Sequence, residues 1–144
     1  MNETWLEDNL ALLPDCTEQQ LVAQLQADKF TQCLWLTANA VTDELSNQAH
    51  LTSVVFPLIS TPDDSFVALV AEAIAAAPQP QNGEKLLVAS PAHNLLGIWL
   101  AYYLMQNGAA PVHAVARVRA SFEQCFVEDG WDQFVYDVLY QLQA

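Results

Sequence analysis

Ser90, His93 and the acidic pair Asp63 and Asp64 are the residues of this sequence whose types could be assembled into chemistry. A serine hydroxyl deprotonated by an imidazole, with a carboxylate orienting the ring, is the arrangement of a hydrolase triad. The neighbouring residues argue against it. A nucleophile elbow has the pattern GxSxG, whereas the segment here is Val88-Ala-Ser-Pro-Ala92. The proline after the serine removes the amide that commonly serves the oxyanion hole. The simpler roles are a small residue ending a strand for Ser90, a polar residue flanking a helix start for His93, and first-turn helix acids for Asp63 and Asp64. His50 and His113 have no ligand partner at metal spacing. Cys16, Cys33 and Cys125 are odd in number, far apart and without a CxxC pair, so neither a metal nor a cofactor is expected.

Composition narrows the classes of function. The chain has 144 residues, of which 53% are hydrophobic and 15% charged, a profile that folds into one core, so a single domain over residues 1–144 is expected. Seventeen acids stand against Lys29, Lys85, Arg117 and Arg119, for a formal net charge of -13. Nucleic acid and anionic membrane are excluded as expected partners, because both are bound chiefly through basic side chains. Acidity on this scale serves solubility. The first eight residues are acidic where a secretory signal is basic, and the longest apolar run, Leu95 to Met105, is too short to span a bilayer. Together with the scattered thiols this gives a cytoplasmic expectation.

The elements that must position these residues alternate along the chain. Asn9 to Leu13 reads as a short strand, and Thr17 opens a helix with Gln20 three residues on, as in a capping box. Thr31 to Thr37 and Thr52 to Leu58 read as strands. Thr61-Pro62-Asp63-Asp64 starts a helix on which Phe66, Leu69, Val70, Ala73, Ile74 and Ala77 recur at helical spacing, and Pro78 ends it. Pro78 to Gly83 is a loop. Lys85 to Ala89 is a buried strand, followed by a helix from about Asn94 to Asn107 that is apolar on nearly every face and is closed by Gly108. Pro111 to about Phe122 and Gly130 to about Leu142 are further helices. In a largely parallel sheet of this kind ligands bind beyond the carboxyl ends of the strands, which makes the turn after Ala89 the first candidate site.

At that turn, Leu86-Leu-Val-Ala-Ser-Pro-Ala-His-Asn-Leu-Leu-Gly97 resembles the strand and HCxxGxxR-Ser/Thr motif of the cysteine-dependent protein tyrosine and dual-specificity phosphatases. Ala101-Tyr-Tyr-Leu-Met-Gln-Asn-Gly108 is similar to the helix after that motif, and Ala110-Pro-Val-His-Ala-Val-Ala-Arg-Val-Arg119 to the next one. Asp8 to Leu34 looks like the opening of small bacterial phosphatase-like domains. Phe56-Pro57-Leu58 and Asp63 or Asp64 sit near the place of the general-acid loop, with Asp63 27 residues before Ser90. The resemblance implies a three-layer α/β fold with a mostly parallel central sheet of about four or five strands flanked by helices, of the phosphotyrosine protein phosphatase II type.

Every signature position departs from the motif: the family's His is Ala89, its Cys is Ser90, its Gly is His93, its Arg is Leu96, and its Ser or Thr is Gly97. A serine without a base stays protonated where the family uses a thiolate, and Leu96 offers none of the bidentate grip of a guanidinium. The expectation is therefore a pseudophosphatase that is not an enzyme and has no catalytic residue. Its former active-site depression, lined by Ala89, Ser90, Pro91, Ala92, His93, Asn94, Leu95, Leu96 and Gly97, is expected to bind a partner protein or a small neutral ligand, and homo-oligomerisation is open. Two alternatives stand beside it: a hydrolase or residual phosphatase using Ser90, and a purely structural subunit.

Overall fold

The computed structural model describes residues 4–7, 9–26, 30–37, 42, 51–56, 64–76, 84–128 and 130–143. The chain packs as two compact units, residues 1–56 with 76–92, and residues 57–75 with 93–144.

The first unit is a five-stranded sheet built from β1 (Thr4–Glu7), β2 (Leu10–Leu13), β3 (Gln32–Thr37), β4 (Leu51–Val55) and β5 (Leu86–Ala89), in the order β1-β2-β5-β3-β4. All neighbours are parallel except β1, which runs antiparallel to β2. The sheet is thus mostly parallel, as expected. LALL, LLVA and QCLWLT are continuous apolar runs, which is what strands buried on both faces require, and these three lie innermost. On one face Ala11, Leu13, Cys33, Trp35, Leu87 and Ala89 form a core with Leu21 and Val22 of α1 (Glu18–Gln26). Full burial of each large apolar side chain contributes about 1.5–3 kcal/mol.

The start of α1 is fixed by the capping box foreseen from the spacing. Gln20 N donates to Thr17 Oγ1 at 3.1 Å, and Thr17 N donates to Gln20 Oε1 at 2.9 Å. The strand β1 was not foreseen. Its residues TWLE are mostly exposed, and a register shift between Trp5 and Glu7 breaks its ladder, so it lacks the apolar run that marks its neighbours. It is held by Trp5, which stacks on Phe30 with ring centroids 5.5 Å apart and lies 5.5 Å from Lys85 Nζ.

The second unit is helical: most of α2 (Asp64–Ala76), then α3 (His93–Gln106), α4 (Pro111–Ser121) and α5 (Trp131–Gln143). On α2, Val70 and Ala73 are buried as the spacing required. Thr61, Pro62, Asp63, Ala77 and the loop from Pro78 to Gly83 lie outside the described residues. The apolar α3 is buried continuously from Asn94 to Ala101, and α4 and α5 both pack on it. Its end is a left-handed cap. Gly108, at φ 105, donates to Met105 O, and Ala109 N donates to Leu104 O. Pro111 occupies the first turn of α4, where its missing N–H is no loss. On α5, Phe134, Val135, Val138 and Leu139 are buried, while Trp131 sits half-exposed with its ring edge-on to Phe134. Among the described residues no helix is long and apolar enough to cross a membrane.

Candidate functional site

The nine residues singled out from the sequence divide at the unit boundary, Ala89 to Ala92 in the first and His93 to Gly97 in the second. In the first unit the loop after β5 is closed on itself. Ser90 N donates to Leu13 O at 3.2 Å, and Ser90 O accepts from Cys16 N at 3.0 Å, which carries the β2–β5 pairing one residue past the strand. The Ser90 side chain is fully enclosed; its hydroxyl donates to Ala92 O at 2.9 Å and accepts from Ala92 N at 3.0 Å. Pro91 has no N–H. Every backbone donor from Ser90 to Ala92 is therefore spent or missing, whereas an oxyanion loop works by leaving such amides pointed at the ligand. Pro91 and Ala92 are half-buried, and Ala89 is wholly buried.

In the second unit the start of α3 is tied to the segment 125–128. His93 Nε2 lies 3.2 Å from Glu128 Oε1, and Asn94 Nδ2 donates to Glu128 Oε2 at 3.1 Å. Asn94 Oδ1 in turn accepts from Phe126 N at 2.8 Å, and Cys125 Sγ donates to His93 O at 3.3 Å. Asn94 is buried, so both ends of its amide are satisfied inside the protein. His93 is half-buried and Glu128 exposed, which leaves the imidazole and carboxylate at the surface. Leu95, Leu96 and Gly97 are buried. Gly97 has a physical reason to be glycine: a Cβ there would fall 2.7 Å from Phe126 Cζ and 3.1 Å from Cys125 Sγ.

The Asn94 hydrogen bond, supported by others from the Glu128 backbone and from His93, holds the Glu128 carboxyl below the usual carboxylate range. A carboxyl depressed in the folded chain contributes stability above its unfolded pKa and loses it as the pH falls through the folded one. Glu128 is half exposed, so solvent screens the contribution. Stability of the wild type is expected to fall more steeply than that of Glu128→Gln on acidification through the low carboxylate range. Urea midpoints measured along that range check this, and added salt should shrink the difference.

Asp64 is the first residue of α2, while Asp63 and His50 lie outside the described residues. The three cysteines are buried and unpaired by disulfides. Desolvation pushes the Cys16 thiol up to about 11, and burial raises Cys33 further, so neither is a nucleophile near neutral pH. Among the described residues no group of three or more His, Cys, Asp or Glu side chains could hold a metal. Glu128 and Phe126 do not stand out in the sequence, and Cys125 does so only as one of three scattered thiols. A lone Glu in VEDG, more than thirty residues from His93, carries no local signal of its partners.

No family model matches this sequence, and no curated protein matches it. Solved structures do. The chain superimposes on human DUSP28 with a TM-score of 0.67 at 17% identity, covering 99% of this chain and 95% of that one. Tk-PTP in its active form gives 0.67 at 15% identity, covering 98% and 95%. A leucine rich repeat and phosphatase domain containing protein from Entamoeba histolytica gives 0.64 at 14%, covering 98% and 92%. These matches correct one expectation. The chain was expected to be no enzyme, but the structures it resembles are phosphatases, one of them in an active form, and they point to the frame of an enzyme. In fold, this chain is a tyrosine and dual-specificity phosphatase-like α/β protein.

Proposed function

We propose that the chain is a cytoplasmic binding and regulatory module on a phosphatase frame, which recognises a partner protein or a small neutral ligand in place of a phosphoester dianion. Any turnover it supports runs through His93 and Glu128 and not through Ser90. The observation that carries this reading is the loop after β5: Ser90 N is in the ladder, Pro91 has no N–H, and Ala92 N is taken by the Ser90 hydroxyl. A phosphate arriving there meets no free amide and no thiolate from Ser90 to Ala92. The helix dipole alone contributes about 0.3–1 kcal/mol at an exposed site, too little to hold a dianion without further donors.

The likeness to phosphatases favours hydrolysis as the second reading. His93 and Glu128 are its candidates, an imidazole and a carboxylate 3.2 Å apart with Asn94 orienting the carboxylate, which is the pairing that general-base catalysis requires. Hydrolysis of an aryl phosphate and an aryl ester, before and after treatment with a thiol alkylator, separates the two readings. The first reading expects rates with both substrates that neither alkylation, Ser90→Ala nor His93→Gln changes. Turnover that survives alkylation and Ser90→Ala, but is lost in His93→Gln, establishes the second reading. Turnover lost in Ser90→Ala contradicts both.

A further inference from the structure

Both arginines of the chain, Arg117 and Arg119, stand on α4, with His113 one turn before Arg117. Pro111, Ala114, Val115 and Val118 are buried, which turns Val112, His113, Ala116, Arg117, Arg119 and Ala120 outward. Helical spacing sets Val112, Ala116 and Ala120 in one row, with Arg119 on one flank and His113 and Arg117 on the other. Val112 is 54% exposed. The helix has no acid of its own, and neither arginine has an ion pair or hydrogen bond among the described residues, although the chain has seventeen carboxylates to offer.

We infer that this face of α4 docks an acidic amphipathic helix of a partner protein. The small side chains of Ala116 and Ala120 let a second backbone approach to the helix-packing distance of about 8–10 Å. Val112 supplies the apolar end of the row. Carboxylates on both edges of the incoming helix then meet Arg119 on one side and His113 with Arg117 on the other, and guanidinium groups take them in bidentate pairs. The net charge of -13 does not forbid this, since repulsion from distant acids is screened beyond about 8 Å at physiological salt. Nucleic acid fits worse, because phosphates repeat along the strand and two arginines neutralise few of them. A second copy offering the same helix would set arginine against arginine.

The test uses the full chain and a fluorescein-labelled helical peptide of about 18 residues, with a leucine and alanine row edged by glutamates, read by anisotropy. The wild type is expected to bind it saturably. Arg117→Glu with Arg119→Glu should weaken binding by about tenfold or more, and a lysine-edged peptide should regain affinity for that reversed variant alone. Ala116→Trp, which leaves the charges in place, should also weaken binding, with circular dichroism checking that each variant is folded. Four results overturn the inference: no saturable binding by the wild type, equal binding by the charge-reversed variant, tighter binding of a single-stranded oligonucleotide than of the peptide, or self-association that disappears when the arginines are reversed. None of these bears on the loop at Ser90.

Discussion

Leu96→Arg is expected to destabilise the protein by about 3–5 kcal/mol. Leu96 is 1% exposed and lies in the part of α3 buried continuously from Asn94 to Ala101. A guanidinium cannot shed its charge, so it must be desolvated among apolar neighbours or force α3 out of its seat. Removing the leucine side chain also gives up its packing. With a typical slope of about 1–3 kcal/mol per molar urea, the midpoint should drop by more than about 1 M. Leu96→Met at the same position keeps volume and polarity and should cost less than about 1.5 kcal/mol. A midpoint in Leu96→Arg that equals the wild type would mean that the side chain reaches water, and that the burial assigned to Leu96 is wrong.

Gly97→Ser is expected to cost about 1–3 kcal/mol through overpacking. The added Cβ meets the Phe126 ring at 2.7 Å, a separation that real Cβ atoms do not tolerate. The ring cannot retreat freely. Phe126 has φ 63, in the left-handed region that disfavours large side chains, and its N–H is held by buried Asn94. Gly97→Ala should show the same loss, since the clash belongs to the Cβ and not to the hydroxyl. Phe126→Leu in the Gly97→Ala background should recover part of it, and a double-mutant cycle on thermal midpoints measures the coupling. If the two changes are additive, the contact between Gly97 and Phe126 does not limit this position.

Both positions are fixed by packing: Leu96 is core, and Gly97 is the floor under Phe126. The same residues show what a sequence can and cannot disclose. The inner strands were legible because LALL, QCLWLT and LLVA are continuous apolar runs, and α1 because Thr17 and Gln20 cap it through contacts three residues apart. Local signals of that kind survive in one dimension. The strand β1 was not legible, since an exposed, bulged edge strand has little hydrophobic pattern to read.

The polar cluster at the start of α3 was half legible. His93 stood out by type and position, but its partner Glu128 and the orienting Asn94 act across more than thirty residues, through a turn whose shape depends on Phe126 in a left-handed conformation. Nothing in VEDG announces it. Ser90 was legible as a position and misleading as a chemistry, because the hydroxyl that invites a nucleophile reading is the group that seals the loop.

Exclusion of an oxyanion from the loop after β5 rests on there being no free amide donor from Ser90 to Ala92. A nitrogen–proton correlation spectrum of the full chain, titrated with vanadate into the millimolar range, follows the Ser90 and Ala92 amides directly. Both resonances are expected to stay in place, with slow hydrogen exchange, while in Ser90→Ala the Ala92 amide loses its protection. A saturable shift of the wild-type Ser90 and Ala92 resonances, with vanadate protecting them from exchange, would show an oxyanion seated in the loop and would contradict the account.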